Sequence, residues 1–135
     1  MDIRKNLENI HKLSNLVIQQ LGPQSNIANF GLNEASVVWI DGFIERQREA
    51  KDFSSSEVDG LVNTLGSFLG EALVVTAGGT WVWVEQQQTI GVELREGYVF
   101  PFNKVRKQLV NGGAAGDSIA GFFRSVLSLQ AVGKL

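Results

Sequence analysis

Apolar side chains recur along the first part of the chain at steps of three and four. Ile3, Leu7, Ile10, Leu13, Val17 and Leu21 fall on one stripe of a helix predicted over Asp2 to Leu21. Gly22-Pro23 ends that helix, because glycine accepts a left-handed cap and proline cannot continue the hydrogen-bond ladder. Residues 23–33 read as a loop anchored by Ile27, Phe30 and Leu32. Asn33 is placed to cap a second helix running to about Ala50, with Val37, Val38, Ile40, Phe43 and Ile44 on its apolar face and Trp39 beside them. The charged tail from Glu45 to Asp52 is expected to project into water. Ser54 with Glu57 has the spacing of a capping box for a third helix, and Ser56 with Asp59 offers a competing register.

The third helix carries Val58, Leu61, Val62, Leu65, Phe68, Leu69 and Ala72 at helical spacing, interrupted by Gly60, Gly66 and Gly70. An internal glycine costs roughly 1 kcal/mol against alanine. Two of them four residues apart therefore point to a groove in which a backbone or a tryptophan sits. Leu73 to Ala77 fits either an extension of this helix or a strand, and Gly78-Gly79 closes it in both cases.

The period then changes from helical to alternating. Residues 80–85 and 90–95 read as a hairpin, followed by a short strand over 98–100 that Pro101 ends. With Glu85 and Thr89 closing the turn around Gln86-Gln87-Gln88, Val84 faces Ile90 and Val82 faces Val92, with Leu94 on the same side. Trp83 then lies opposite Gly91 and Trp81 opposite Glu93. This register separates an aliphatic face from one bearing Trp81, Trp83, Glu85, Thr89, Glu93 and Arg95, and a slip of one residue would mix the two. Exposed indoles beside arginine mark a partner surface. The competing arrangement has a helix crossing that face, with the indoles as core.

Phe102 to Val110 is predicted as a short helix with Phe102, Val105 and Leu109 inward and Lys104, Arg106 and Lys107 outward. Asn111-Gly112-Gly113 stops it, and Asp117 or Ser118 caps a last helix bearing Ile119, Phe122, Phe123, Val126 and Leu127. Residues 131–135 are expected to fray. The fold class is thus α+β: a small three-stranded antiparallel meander packed against about five helices, in a single domain over 1–135.

Composition narrows the function classes. The chain has 135 residues, 44% hydrophobic and 19% charged, enough for one core without staples. A net charge of −2 gives no electrostatic reason to expect nucleic acid. The absence of cysteine removes disulfides, thiolate metal sites and cysteine nucleophiles. No signal-like run opens the chain, and Leu61 to Ala77 is too interrupted by polar residues for a membrane span, so a cytoplasmic location is expected.

Little chemistry is visible. His11, the single histidine, falls on the polar side of the first helix with no neighbouring carboxylate in view. Asp41, Glu45 and Glu49 share a helix face with Arg46 and Arg48 close by, which reads as a solvated, salt-bridged face. Glu71 follows Gly70 in an apolar stretch; if buried it needs a donor, and it is the one carboxyl that a small enzyme or ligand-binding protein would use. Residues 111–118 resemble an anion-binding loop but lack the lysine and serine of a phosphate loop, so helix termination followed by capping accounts for them. No cofactor or metal is implied.

Three segments, Leu65-Gly66-Ser67-Phe68-Leu69-Gly70-Glu71, Gly79-Thr80-Trp81 and Pro101-Phe102-Asn103-Lys104-Val105-Arg106-Lys107, then Asn111-Gly112, carry a resemblance over residues 58–125. In them the chain resembles a loose group of small bacterial domains of unknown function. That group has no established active site to transfer. Some domains of this appearance are encoded beside secreted toxins, so the resemblance implies an immunity role. The leading expectation is a non-enzymatic cytoplasmic protein-interaction domain that meets itself, as a homodimer, or a dedicated effector. Its contact residues would be Trp81, Trp83, Glu93 and Arg95, with the apolar stripe of the first helix as a second candidate surface, and with no nucleic acid and no membrane involved.

Overall fold

The computed structural model describes residues 2–50 and 52–133. Lys51, within the tail expected to project into water, and residues 134 and 135, expected to fray, lie outside them. Five helices and a three-stranded antiparallel sheet form an α+β fold, as the patterning predicts. The helices are α1 (Arg4–Ser25), α2 (Glu34–Ala50), α3 (Ser55–Ala77), α4 (Pro101–Asn111) and α5 (Ile119–Ala131). The strands β1 (Thr80–Val84), β2 (Thr89–Leu94) and β3 (Gly97–Val99) lie side by side in that order.

Helix ends follow the capping chemistry closely. Asn33 Oδ1 accepts from the Ser36 N–H at the start of α2. Ser54 and Glu57 form the full capping box of α3, so the Ser56–Asp59 register is not used. Residues 73–77 stay helical until Gly78 takes the left-handed cap at φ 73°. One end differs from expectation: α1 runs past Gly22-Pro23 to Ser25. Proline removes only its own N–H, and near a C-terminus the loss is small. The last turn is retied by side chains, with Ser25 Oγ donating to the Gly22 carbonyl and Gln24 Nε2 to that of Gln20. Asn26 then ends the helix at φ 58°.

α3 is the spine of the core. Leu65, Phe68, Leu69, Ala72 and Leu73 are fully buried, joined by Val37, Ile40 and Ile44 of α2 and Ile119 and Phe123 of α5. By length and composition α3 is, among the described residues, the one helix apolar enough to cross a membrane. However, 56% of its apolar stretch is buried within the fold, as in the core helix of a globular domain.

The glycine groove on α3 is present and occupied. A Cβ on Gly70 would lie 2.0 Å from the Trp81 ring, and one on Gly66 would lie 2.4 Å from the ring of Phe102. The two rings meet each other at 5.7 Å between centroids. Gly60, by contrast, has open space where a Cβ would stand.

This seating reverses the expected strand phase. Trp81 pairs with Val92, Val82 with Gly91, Trp83 with Ile90 and Val84 with Thr89. The register is therefore one residue from the predicted one. Trp81 and Trp83 share the inner face with Ile90, Val92 and Leu94, while Val82 and Val84 turn to the opposite face with Gly91 and Glu93. Two physical causes act together. The loop holds four residues rather than three: a short 3₁₀ turn over Glu85–Gln87, then Gln88 at φ 51° donating to the Glu85 carbonyl. An indole, moreover, fills the space above Gly70 as a valine cannot. On the outer face Phe100 folds over the bare backbone of Gly91, where a Cβ would come within 3.0 Å of its ring.

The groove gives a paired expectation. Gly70→Ala should destabilise by about 1–3 kcal/mol, because a rigid ring occupies the added methyl's place and overpacking outweighs the gain in helix propensity. Gly60→Ala should stabilise by roughly 0.5–1 kcal/mol, since nothing opposes it. Urea unfolding followed by tryptophan fluorescence measures both; equal shifts of the same sign would refute the seating of Trp81.

Candidate functional site

The inward phase of β1 places Trp83 at the rim of a cleft of about 710 Å³ between α1, α3, the hairpin turn and the start of α4. That volume lies in the ordinary range of ligand sites. Each wall contributes amides. α1 presents Asn6 and Asn9, α3 presents Asn63 beside Ser67, the hairpin turn Gln87 and Gln88, and α4 Asn103. Between them lie the apolar surfaces of Ile10, Leu13, Val62, Ile90, Phe100 and Phe102. The lining contains no carboxylate and no histidine, and its one charge, Arg106, donates to Asp59 Oδ1 at 2.8 Å.

Among the described residues, the side-chain amides of Asn6, Asn9, Asn63, Asn103 and Gln87 form no hydrogen bond within the chain. Four amides outside the cleft, Asn33, Asn111, Gln108 and Gln130, are tied to another part of the chain, and within the cleft Gln88 is tied to Glu85. A side-chain amide offers both donors and an acceptor. Several of them converging unpaired on one concave surface are suited to an uncharged, hydrogen-bonding ligand.

The four residues expected to share a partner surface do not lie on one face. Trp81 is 7% exposed, seated on Gly70, with its Nε1 unpartnered in the interior. Trp83 is half-buried on the same inner face and donates from Nε1 to Glu85 Oε2 at 2.7 Å. Glu93 is exposed on the opposite face, where its β3 neighbour is Tyr98, and Arg95 is exposed in the turn that follows β2. The indoles and the charged residues thus belong to different surfaces, and the expected Trp-bearing docking face is corrected accordingly.

Glu71 is buried, as its setting required, and its neighbour is His11 of α1. The imidazole Nδ1 lies against Glu71 Oε1 without an aligned N–H, so that oxygen has close contact but no hydrogen bond. Two expectations change here. His11 does have a carboxylate beside it, and Glu71 lines neither this polar cleft nor a second, apolar groove between α1, α2 and α3. Among the described residues, the ion-pair partner of Glu71 is His11.

Of the α2 carboxylates expected on a solvated, salt-bridged face, Glu49 is exposed, whereas Asp41 and Glu45 hold the chain between α4 and α5. Three side chains from three places satisfy the first N–H groups of α5. Gln108 Oε1 accepts from Ile119 at 2.8 Å, Asp41 Oδ2 from Ala120 at 3.0 Å and Ser118 Oγ from Gly121 at 3.1 Å. Glu45 Oε2 accepts from Gln108 Nε2 and from the Gly113 N–H, and its other oxygen accepts from Arg48. Arg48 Nε donates to the Leu109 carbonyl and its guanidinium crosses Gly112, whose φ of 89° and missing Cβ make room for it. The glycine-rich loop is therefore a helix stop and cap, as its composition predicts. Lys104 of the basic cluster pairs with Asp117 at 3.6 Å, and Arg106 with Asp59.

Comparison with known proteins finds no matching family model, no matching curated protein and no matching solved structure.

Two outcomes follow from these contacts. Gln108→Leu should cost about 2–4 kcal/mol, since Gln108 is fully buried and its removal strands the Ile119 N–H and one bond of Glu45; chemical denaturation reads this directly. Glu85 has its carboxyl held below the usual range, first by the Trp83 indole N–H and then by Gln88. A depressed folded value means the contribution is complete above the ordinary glutamate range and is lost as pH falls through the lower, folded value. The Trp83 indole N–H resonance should shift over that acid window and be flat in Glu85→Gln.

Proposed function

We propose that this chain is a non-catalytic, cytoplasmic recognition domain that engages a protein partner through the amide-lined cleft between α1, α3, the hairpin turn and α4. One observation carries the reading. This concave polar surface gathers unpaired amides around apolar floor residues, with no carboxylate or histidine in its lining. Catalysis of acyl, phosphoryl or glycosyl transfer needs a nucleophile or an acid–base pair in reach of the substrate. This lining supplies hydrogen-bond complementarity instead, which is the equipment of binding. The α2–α4–α5 tie supports the reading, because it fastens α4 to the helical core and so holds one cleft wall in place before a ligand arrives.

The test is affinity capture from extracts of the source cells, with the native chain and an Asn9→Trp variant of unchanged circular dichroism. The expected result is one stoichiometric protein retained by the native chain and lost with the cleft blocked. A partner retained equally by both, or none retained by either, would overturn the assignment to this cleft.

A further inference from the structure

We infer that the open edge of β1 pairs antiparallel with β1 of a second copy of this chain, joining two three-stranded sheets into one. The inference stands apart from the cleft. β1 lies at one end of the strand order, and its residues pair one to one with β2 without a bulge. In an antiparallel ladder every second residue turns its N–H and carbonyl away from its neighbour. Among the described residues, nothing in the chain meets those outward groups of β1, whose main chain makes no hydrogen bond beyond the ladder with β2.

The residue types say what can meet them. A sheet edge is ordinarily guarded by charge, proline, a bulge or short length. Thr80-Trp81-Val82-Trp83-Val84 has 5 residues and none of these guards, and each of its residue types favours extended backbone. The opposite edge is guarded, because β3 has only 3 residues and Pro101 follows it closely. The strand that matches the open edge in length, composition and number is β1 of another copy. A two-fold axis pairs like edges with each other and leaves the guarded β3 at both ends of the joined sheet. The association therefore closes at two copies and does not continue into a fibre. Charge agrees with this arrangement. With Val82 on the axis the whole of each β1 is paired, no charged side chain lies within the paired segment, and Glu85 falls opposite Gly79. Self-association through the sheet thus moves from its face to its edge.

The experiment uses the full chain. Sedimentation equilibrium across a concentration series is run on the native protein, on Val82→Lys, on Val82→Glu, and on the two variants mixed in equal amounts. Val82 lies on the outer sheet face and outside the cleft lining, so neither variant touches the proposed recognition surface. Circular dichroism checks that each variant is folded. The expected result is a native dimer that grows no further and a dissociation constant raised roughly tenfold or more by either charge alone. The mixture should recover the dimer, because opposite charges then meet across the axis. Should neither variant fold, hydrogen exchange on the native chain decides. The β1 amides that face away from β2 should exchange roughly tenfold or more slowly in concentrated than in dilute solution, with the amides of α2 unchanged. A monomer at every concentration, assembly beyond two copies, or a dimer indifferent to both charges would overturn the pairing. So would a mixture no tighter than the single variants, or edge amides indifferent to concentration.

Discussion

Two missing methyl groups on α3 set the geometry of the rest. Because Gly70 and Gly66 leave the helix bare on one side, Trp81 and Phe102 can come down onto its backbone and touch each other. The glycines together cost roughly 2 kcal/mol of helix propensity. A buried tryptophan and a half-buried phenylalanine offset that several times over through apolar burial. The exchange fixes position as well as energy. Trp81 sets which face of β1 looks inward, and through the pairing it sets the phase of β2 and β3. Phe102 sets where α4 begins. Trp83 and Ile90 reach the cleft on one side and Asn103 and Arg106 on another because of those two placements.

Much of this was legible in the chain. The helix count, the Asn33 and Ser54 caps and the existence of a groove at Gly66 and Gly70 all follow from local rules, since each is a matter of spacing within one element. Strand phase was not legible, for a specific reason. β2 alternates clearly, with Ile90, Val92 and Leu94 against Gly91 and Glu93, but every residue of β1 after Thr80 is apolar. A strand with no polar side gives no period-two signal, so its phase rests on loop length alone. Gln88 adopts φ 51°, a region that non-glycine residues enter sparingly, and this adds the residue that reverses the indoles. The groove held the missing clue: a hole two glycines deep calls for a ring, and Trp81 is the ring that reaches it.

The carboxylates of α2 show the other limit. Spacing of four along a helix says that Asp41 and Glu45 share a face, yet it cannot say what arrives at that face. Their partners lie more than sixty residues along the chain, in the turn that starts α5. The signal available was indirect: a glycine-rich stop followed by a helix start leaves several backbone N–H groups in need of acceptors. Buried acceptors for them had to come from somewhere, and α2 carries two of the few carboxylates facing the core.

The same amide chemistry appears in this fold in two conditions, and the contrast bears on function. Gln108, buried between α2, α4 and α5, spends both ends of its amide inside the chain. Asn6, Asn9, Asn63 and Asn103 spend neither, although they stand on helices whose other faces are packed into the core. An amide tied into the interior fixes elements, and an amide left open on a fixed element is already oriented for whatever binds. The entropy of ordering a wall has then been met by folding and is not charged again at binding. Moving the amides onto loops would forfeit that advantage. Placing them on α1, α3 and α4, with α3 as the common spine, keeps the proposed recognition surface on fixed elements.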